Sequence, residues 1–260
     1  MTTTTKSLDI LFRQAMEAPL SPEAEGCTRE LLHSLTGSLL ARRDLRHDPR
    51  AQNMLLACRL RLRALQNAVL CARTEDAFLP RPCELREYTA DLCAAANLLL
   101  TPLGRCVRFT APEEPMEALC TPRDYAALLL ELLCNCALHC HGEEIVVALA
   151  SKKRGHPCAR RDSGAVLTLT VECRGALDLD ALHAAGQRAG SGVAAMQKTA
   201  WLHHGALLWL ERDGKAVAAF RLPGTKAGHP YSDTPDYVDL LSDPCSQVYA
   251  SLAPAVGGIS

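Results

Sequence analysis

The stretch Leu128–His141, LLLELLCNCALHCH, constrains this chain more than any other, because it reads as a helix whose polar residues do not suit a surface. Tyr125, Leu128, Leu129, Leu132, Leu133, Cys136, Ala137 and Cys140 follow the i, i+3, i+4, i+7 spacing of an amphipathic helix packed on a core. The opposite face is nearly as apolar, Leu130 and Leu138 included. Glu131, Asn135 and His139 recur at i, i+4, i+8, one narrow stripe that drifts by about 40° per step. A carboxylate and an amide among leucines must be paired, hydrogen-bonded or aimed into a cavity, since burial without a partner costs roughly 1–3 kcal/mol or more. The stripe is either a partly solvated face or the wall of a pocket.

Length and charge narrow the rest. A chain of 260 residues holds one large or two small cores. Its net charge of −1 supplies no basic field for nucleic acid or an anionic membrane, so neither is expected as a partner. The longest apolar run, Leu92–Leu103, is interrupted by Asn97, Thr101 and Pro102 and is too short to cross a bilayer, so we expect a cytoplasmic protein without a transmembrane sensor. The thirteen cysteines are expected to be reduced and buried as small hydrophobes, because the chain is long and scatters them over helices. Cys134, Cys136, His139, Cys140 and His141 form a dense cluster that invites zinc. Cys134 and Cys136 lie about 200° apart on a helix, however, and cannot join one tetrahedral site without outside help. His203-His204 makes no better case.

Taken in order, residues 1–20 are an N-terminal segment, with a threonine-rich start to Lys6 and a short helix over Leu8–Ala18. Residues 21–79 read as a helical hairpin. Its first helix, Ser21–Leu45, places Leu32, Leu35 and Leu39 on one face, and Asp48-Pro49 makes the turn. The second, Arg50–Arg73, places Leu55, Cys58, Leu62, Leu65, Val69 and Ala72 at heptad a and d spacing. A lone hairpin has too little core, so a homodimer through Ser21–Arg73, a four-helix bundle, is the economical solution. Pro80–Pro82 reads as a linker. Residues 83–223 then alternate helix Glu84–Leu100, strands Cys106–Thr110 and Met116–Cys120, the helix described above, strands Glu144–Ala150 and Val166–Glu172 around a basic loop, Ser151–Ser163, and strands Leu207–Glu211 and Ala216–Leu222. That pattern predicts a sheet of about five strands with the helices on one face. Strand alternation turns Cys173 inward with Leu167, Leu169 and Val171. In the tail, 224–260, Tyr237, Val238, Leu240, Leu241, Val248, Tyr249 and Leu252 stand among polar residues, fit either to strap onto the domain or to meet a partner.

Glu131-Leu132-x-x-Asn135 resembles the N box of the ATPase superfamily that groups gyrase, a heat-shock chaperone class, histidine kinases and MutL. Downstream, Ala189–Glu211, AGSGVAAMQKTAWLHHGALLWLE, resembles the histidine-kinase G2 box with the helix, His-Gly corner and strand that follow it. Both motifs stand in the family's order, and the likeness covers about residues 83–223. It implies an α+β fold, a helical hairpin forming a dimeric four-helix bundle followed by a histidine-kinase-type ATPase α/β sandwich. It also implies that the Asn135 side-chain oxygen ligates the Mg²⁺ that bridges the phosphates of ATP, a task for a hard oxygen donor. His139 joins the same cofactor wall, and Gly190, Ser191, Gly192 and Val193 let backbone amides approach phosphate at a helix start.

The family's G1 box, D-x-G-x-G, falls on Cys173, Arg174, Gly175, Ala176 and Leu177. Cys173 and Gly175 would hold the base, yet a thiol is a poor acceptor for the adenine amino group, and losing a charged one costs about 1.5–3 kcal/mol. Leu177 replaces a glycine, Ala194 another, and Leu138 a usual Lys or Arg. Ala176–Ala189 corresponds to the ATP lid, with Leu179 and Leu182 suggesting a helical turn. In the hairpin, His33–Leu39, HSLTGSL, resembles the H box H-E-L-R-T-P-L, which makes His33 the phosphoacceptor and, with Glu131, a catalytic candidate; Ser34 replaces the acidic residue and Gly37-Ser38 the Thr-Pro. His47 is a weaker acceptor. Two functions follow: a histidine kinase that binds Mg·ATP, phosphorylates His33 and passes the phosphoryl group to a response regulator, or a degenerate pseudokinase, a scaffold with little or no nucleotide affinity.

Overall fold

Two capped prolines start the hairpin. Ser21 Oγ accepts from the Ala24 amide at 3.2 Å ahead of α1, Pro22–Ala41, and Asp48 accepts from the Arg50 amide at 2.9 Å ahead of α2, Pro49–Ala72. This computed structural model describes residues 10, 12–19, 21–42, 48–152, 165–188, 190–225 and 234–257. The threonine-rich start, His47 and the basic loop beyond Lys152 as far as Ser163 lie outside the described residues. Residues 12–17 are helical, as expected of the N-terminal segment.

The expected linker is in part a strand. β1, Arg81–Glu84, pairs antiparallel with β3, Glu117–Cys120, and buries Cys83. Pro82 is tolerated because the pair is only two strands wide, so every strand in it is an edge. Glu84 then caps α3, Leu85–Leu100, by accepting from the Arg86 and Glu87 amides, and also takes the Met116 amide at 2.9 Å. The central helix is α4, Pro122–His139.

The main sheet runs β2-β4-β5-β7-β6, with β2 Cys106–Thr110, β4 Glu144–Lys152, β5 Val166–Arg174, β6 Ala206–Arg212 and β7 Lys215–Pro223. Only β2 and β4 are parallel; the others pair antiparallel. One face is buried, carrying Ile145, Val147, Leu149, Leu167, Leu169, Val171, Cys173, Phe220 and Leu222 against the helices. The other carries Glu172 beside Lys215 and Arg108 beside Glu144, ion pairs in solvent. α5, Leu179–Gly186, and α6, Gly192–Leu202, complete the helical layer. The architecture is α+β, a helical hairpin followed by a five-stranded sheet with helices on one face.

The tail settles inside this frame. α7, Tyr237–Ser242, packs on α3, and α8, Gln247–Val256, packs on α2, α3 and α4. Val248, Leu252 and Ala255 join the sandwich core, whereas Cys245 and Ala250 join the hairpin core of Leu31, Leu32, Cys58 and Leu62. Cys58, Leu62 and Leu65 are 0% exposed within one chain. The heptad seam therefore has a partner already, and the surplus apolar surface that argued for a bundle with a second copy is covered by α8 and by the sandwich. Among the described residues no helix is long and apolar enough to cross a membrane.

Candidate functional site

The polar stripe of α4 faces a second stripe on α2. Glu131 is 1% exposed and accepts from Arg63 through both its oxygens, the Nε bond being 2.6 Å long. Burial opposes the charge on Arg63, but the hydrogen bond and charge of Glu131 prevail and hold the guanidinium above its ordinary value. One turn on, Asn135 is half-buried, and His139 is exposed at the end of the helix. On α2, Arg59 lies over the Tyr249 ring at 4.4 Å and Asn67 is buried. Arg59, Arg63 and Asn67 thus repeat the i, i+4, i+8 spacing of Glu131, Asn135 and His139.

Between the stripes lies a cavity of about 850 Å³, lined by Arg63, Asn67, Asn135, His139, Arg188, Gly190, Ser191, Gly192 and Val193 and, at its other end, Cys136, Cys140, Cys173 and Ala176. The glycines are dictated by geometry at two points. Gly190 has φ +77°, a left-handed turn, and a Cβ at Gly192 would strike the Glu131 carboxylate. Ser191 Oγ accepts from the Ala194 amide at 3.1 Å and donates to the Ala185 carbonyl, so its hydroxyl caps α6, while the first-turn amides have no helical acceptor. Val193 is buried at the pocket floor. With Arg188 and a helix start, this end of the cavity suits an anion.

The other end differs from the expectation that all cysteines are free. Cys140, which caps α4, is joined to Cys173, and the Cys136 sulfur lies 3.1 Å from that of Cys173. The inward turn of Cys173, legible from strand alternation, brings it under the helix end. Gly175 is close-packed there, since a Cβ would lie 3.4 Å from Cys140 Cα. Burial pushes the Cys136 thiol up to about 12. Cys173 thus presents no free acceptor to a base. Leu138 is exposed, and Leu177 packs on the core with its amide donating to Glu211 at 3.2 Å. The helical turn expected at Leu179 and Leu182 is present as α5, capped by Asp178.

His33 stands elsewhere, exposed on α1, with Nε2 3.8 Å from Asp243 Oδ1 of the tail, and is not among the cavity's lining residues. His203 is a satisfied core histidine: Nδ1 bonds the Thr199 carbonyl at 2.8 Å, Nε2 accepts from the Thr121 amide, and burial lowers its pKa. Arg63 and Asp243 are the functional candidates sequence reasoning missed. The first had a signal, the repeated polar spacing on α2.

A five-stranded sheet covered on one face by helices, with a helical hairpin before it, is the fold of histidine kinases. The histidine kinase AdeS of Acinetobacter baumannii superposes with a TM-score of 0.50 at 13% identity, covering 85% of this chain and 95% of that one. Full-length ShkA, solved in complex with AMPPNP, gives 0.56 at 13% identity over 88% of this chain and 45% of its own. No protein-family model and no curated protein matches the sequence.

Proposed function

We propose that this chain is a signalling protein of histidine-kinase type that binds Mg·ATP in the cavity between α2, α4 and α6. The observation that carries the reading is the convergence of Asn135, Arg63, Arg188 and the Gly190–Gly192 turn on one cavity of nucleotide size. Arg188 supplies the positive charge that Leu138 does not, the charge of Arg63 being balanced by Glu131. Asn135 would offer its neutral side-chain oxygen to Mg²⁺, the kind of hard donor this ion takes. When bound, Mg²⁺ neutralises charge on the phosphates. Glu131 acts through Arg63, as a positioning residue, because its carboxylate is already engaged.

His33 is the proposed phosphoacceptor. Asp243, 3.8 Å from the ring, places beside His33 a carboxylate that Ser34 does not supply. Because His33 does not line its own chain's cavity, transfer is assigned to a homodimer in which one copy serves the other, with a response regulator as the final acceptor. A second reading, a pseudokinase scaffold, is favoured by one observation: the Cys173 sulfur is bonded to Cys140 where the resembled family has an adenine-binding carboxylate.

Calorimetric titration with Mg·ATP tests the proposal. We expect binding that depends on Mg²⁺ and weakens about 10–100-fold in Asn135→Ala, the worth of one charge-assisted contact. Label from the γ-phosphate is expected on wild type and not on His33→Gln. Binding without labelling would favour the scaffold, and equal heats for wild type and Asn135→Ala would remove Asn135 from the site.

A further inference from the structure

Cys136 and Cys140 lie one turn apart at the end of α4, and β5 brings Cys173 beneath them. Three sulfurs from two elements thereby converge, all within 4.8 Å of one another. The outside help that Cys136 needs to join a metal site comes from the sheet, not from Cys134 on its own helix. Cys140 and Cys173 are buried and Cys136 half-buried. All three line the cavity, so an ion entering it reaches the sulfurs without unfolding the chain. No His, Asp or Glu among the described residues belongs to the group, which leaves a donor set of sulfur alone. Such a set selects soft d¹⁰ cations and rejects Mg²⁺, whose ligands are oxygens. A fixed cation is at hand to balance three thiolates: Arg105 donates to the carbonyls of Cys140 at 2.8 Å, Ala137 at 3.3 Å and Gly142.

We propose that, once the Cys140–Cys173 bond is reduced, Cys136, Cys140 and Cys173 bind one thiophilic d¹⁰ cation, Zn²⁺ or Cu⁺, at the cavity wall where the end of α4 meets β5. The chemistry balances in two steps. A dithiol reductant gives two electrons and two protons to the Cys140–Cys173 disulfide and itself becomes a disulfide. The cation then displaces the three thiol protons into solvent, each sulfur forming one bond to metal. Three thiolates complete a trigonal Cu⁺ site; Zn²⁺ keeps a fourth position open to the cavity. The chain has, on this account, a bridged form without metal and a reduced form with it. Nothing in the proposal needs Asn135, α6 or a nucleotide, so it stands or falls apart from the ATP reading.

The test uses the full-length protein reduced with a phosphine in the absence of oxygen. Co²⁺ is titrated as a visible probe of Zn²⁺, and Cu⁺ is titrated in parallel against a competing chelator. We expect one equivalent of Co²⁺ with sulfur-to-metal charge-transfer absorption, displaced by Zn²⁺, or one equivalent of Cu⁺; the tighter ion identifies the cargo. Bound metal should shield Cys136, Cys140 and Cys173 from iodoacetamide, read residue by residue by mass spectrometry. Cys136→Ser and Cys173→Ser should weaken binding by more than the roughly 100-fold that changes around a metal's ligands cost, while Cys106→Ser, at an exposed position, leaves it unchanged. Failure of the wild type to take up either ion overturns the proposal. So does uptake that leaves alkylation of the three cysteines unaltered, a result that holds even if a serine variant fails to fold.

Discussion

Arg63 and Glu131 hold each other in a place where neither would rest alone. Removing Arg63 leaves a carboxylate that is 1% exposed without its counter-charge, and Arg63→Ala should cost about 3 kcal/mol in urea denaturation. Replacing both by apolar residues, Arg63→Met with Glu131→Leu, should restore most of that stability, because the pair's attraction mainly offsets its own desolvation. If the double variant is no more stable than Arg63→Ala, the pair contributes beyond charge compensation. At this scale the sequence was half legible. A carboxylate and an amide at i, i+4 spacing among leucines had to meet something: Glu131 meets Arg63 and Asn135 lines a cavity. The same spacing on α2 escaped notice because a heptad reading weighs the apolar seam and passes over polar residues beside it. Cys173 faces inward as its strand predicts, but whether it meets Cys140 depends on how far the sheet lies from the end of α4, which no local pattern encodes.

The elements whose limits are set by local chemistry match their expected positions. Ser21, Asp48 and Glu84 cap helices, the two prolines open them, and alternation marks the sandwich strands. β1 and α8 were not legible for opposite reasons. β1 contains a proline and is short, so its pairing with β3 comes from tertiary context alone. α8 carries Pro254 within it and its apolar residues are interrupted by small and polar ones, which dilutes the periodic signal. Yet α8 is a joint between layers, with Val248 and Leu252 in one core and Ala250 in the other. Leu252→Ala should therefore cost about 2–5 kcal/mol, the range for a fully buried leucine, and should lower the melting of hairpin and sandwich together. Separate transitions, with only the hairpin affected, would mean that α8 does not couple them.

For the molecule as a whole, burial of the seam within one chain leaves a second copy required only by the proposed transfer. Leu62 lies in the chain's own core, so Leu62→Glu would place a charge in a dry interior and unfold the hairpin layer whatever the oligomeric state. Sedimentation of the wild type over a concentration series is the clean measurement, and the proposed transfer between copies requires a dimer; a monomer throughout would leave His33 without a donor. The covering of α2 by α8 also bears on how the chain comes off the ribosome. The hairpin is made before the sandwich, and the helix that closes its seam is made after it. At about 5–20 residues per second, that interval is on the order of ten to forty seconds. Throughout it the nascent hairpin carries Leu56 and Arg59, the side of α2 that faces Tyr249 and Leu252, toward water, open to chaperones or to a neighbouring nascent chain, until α8 arrives to cover it.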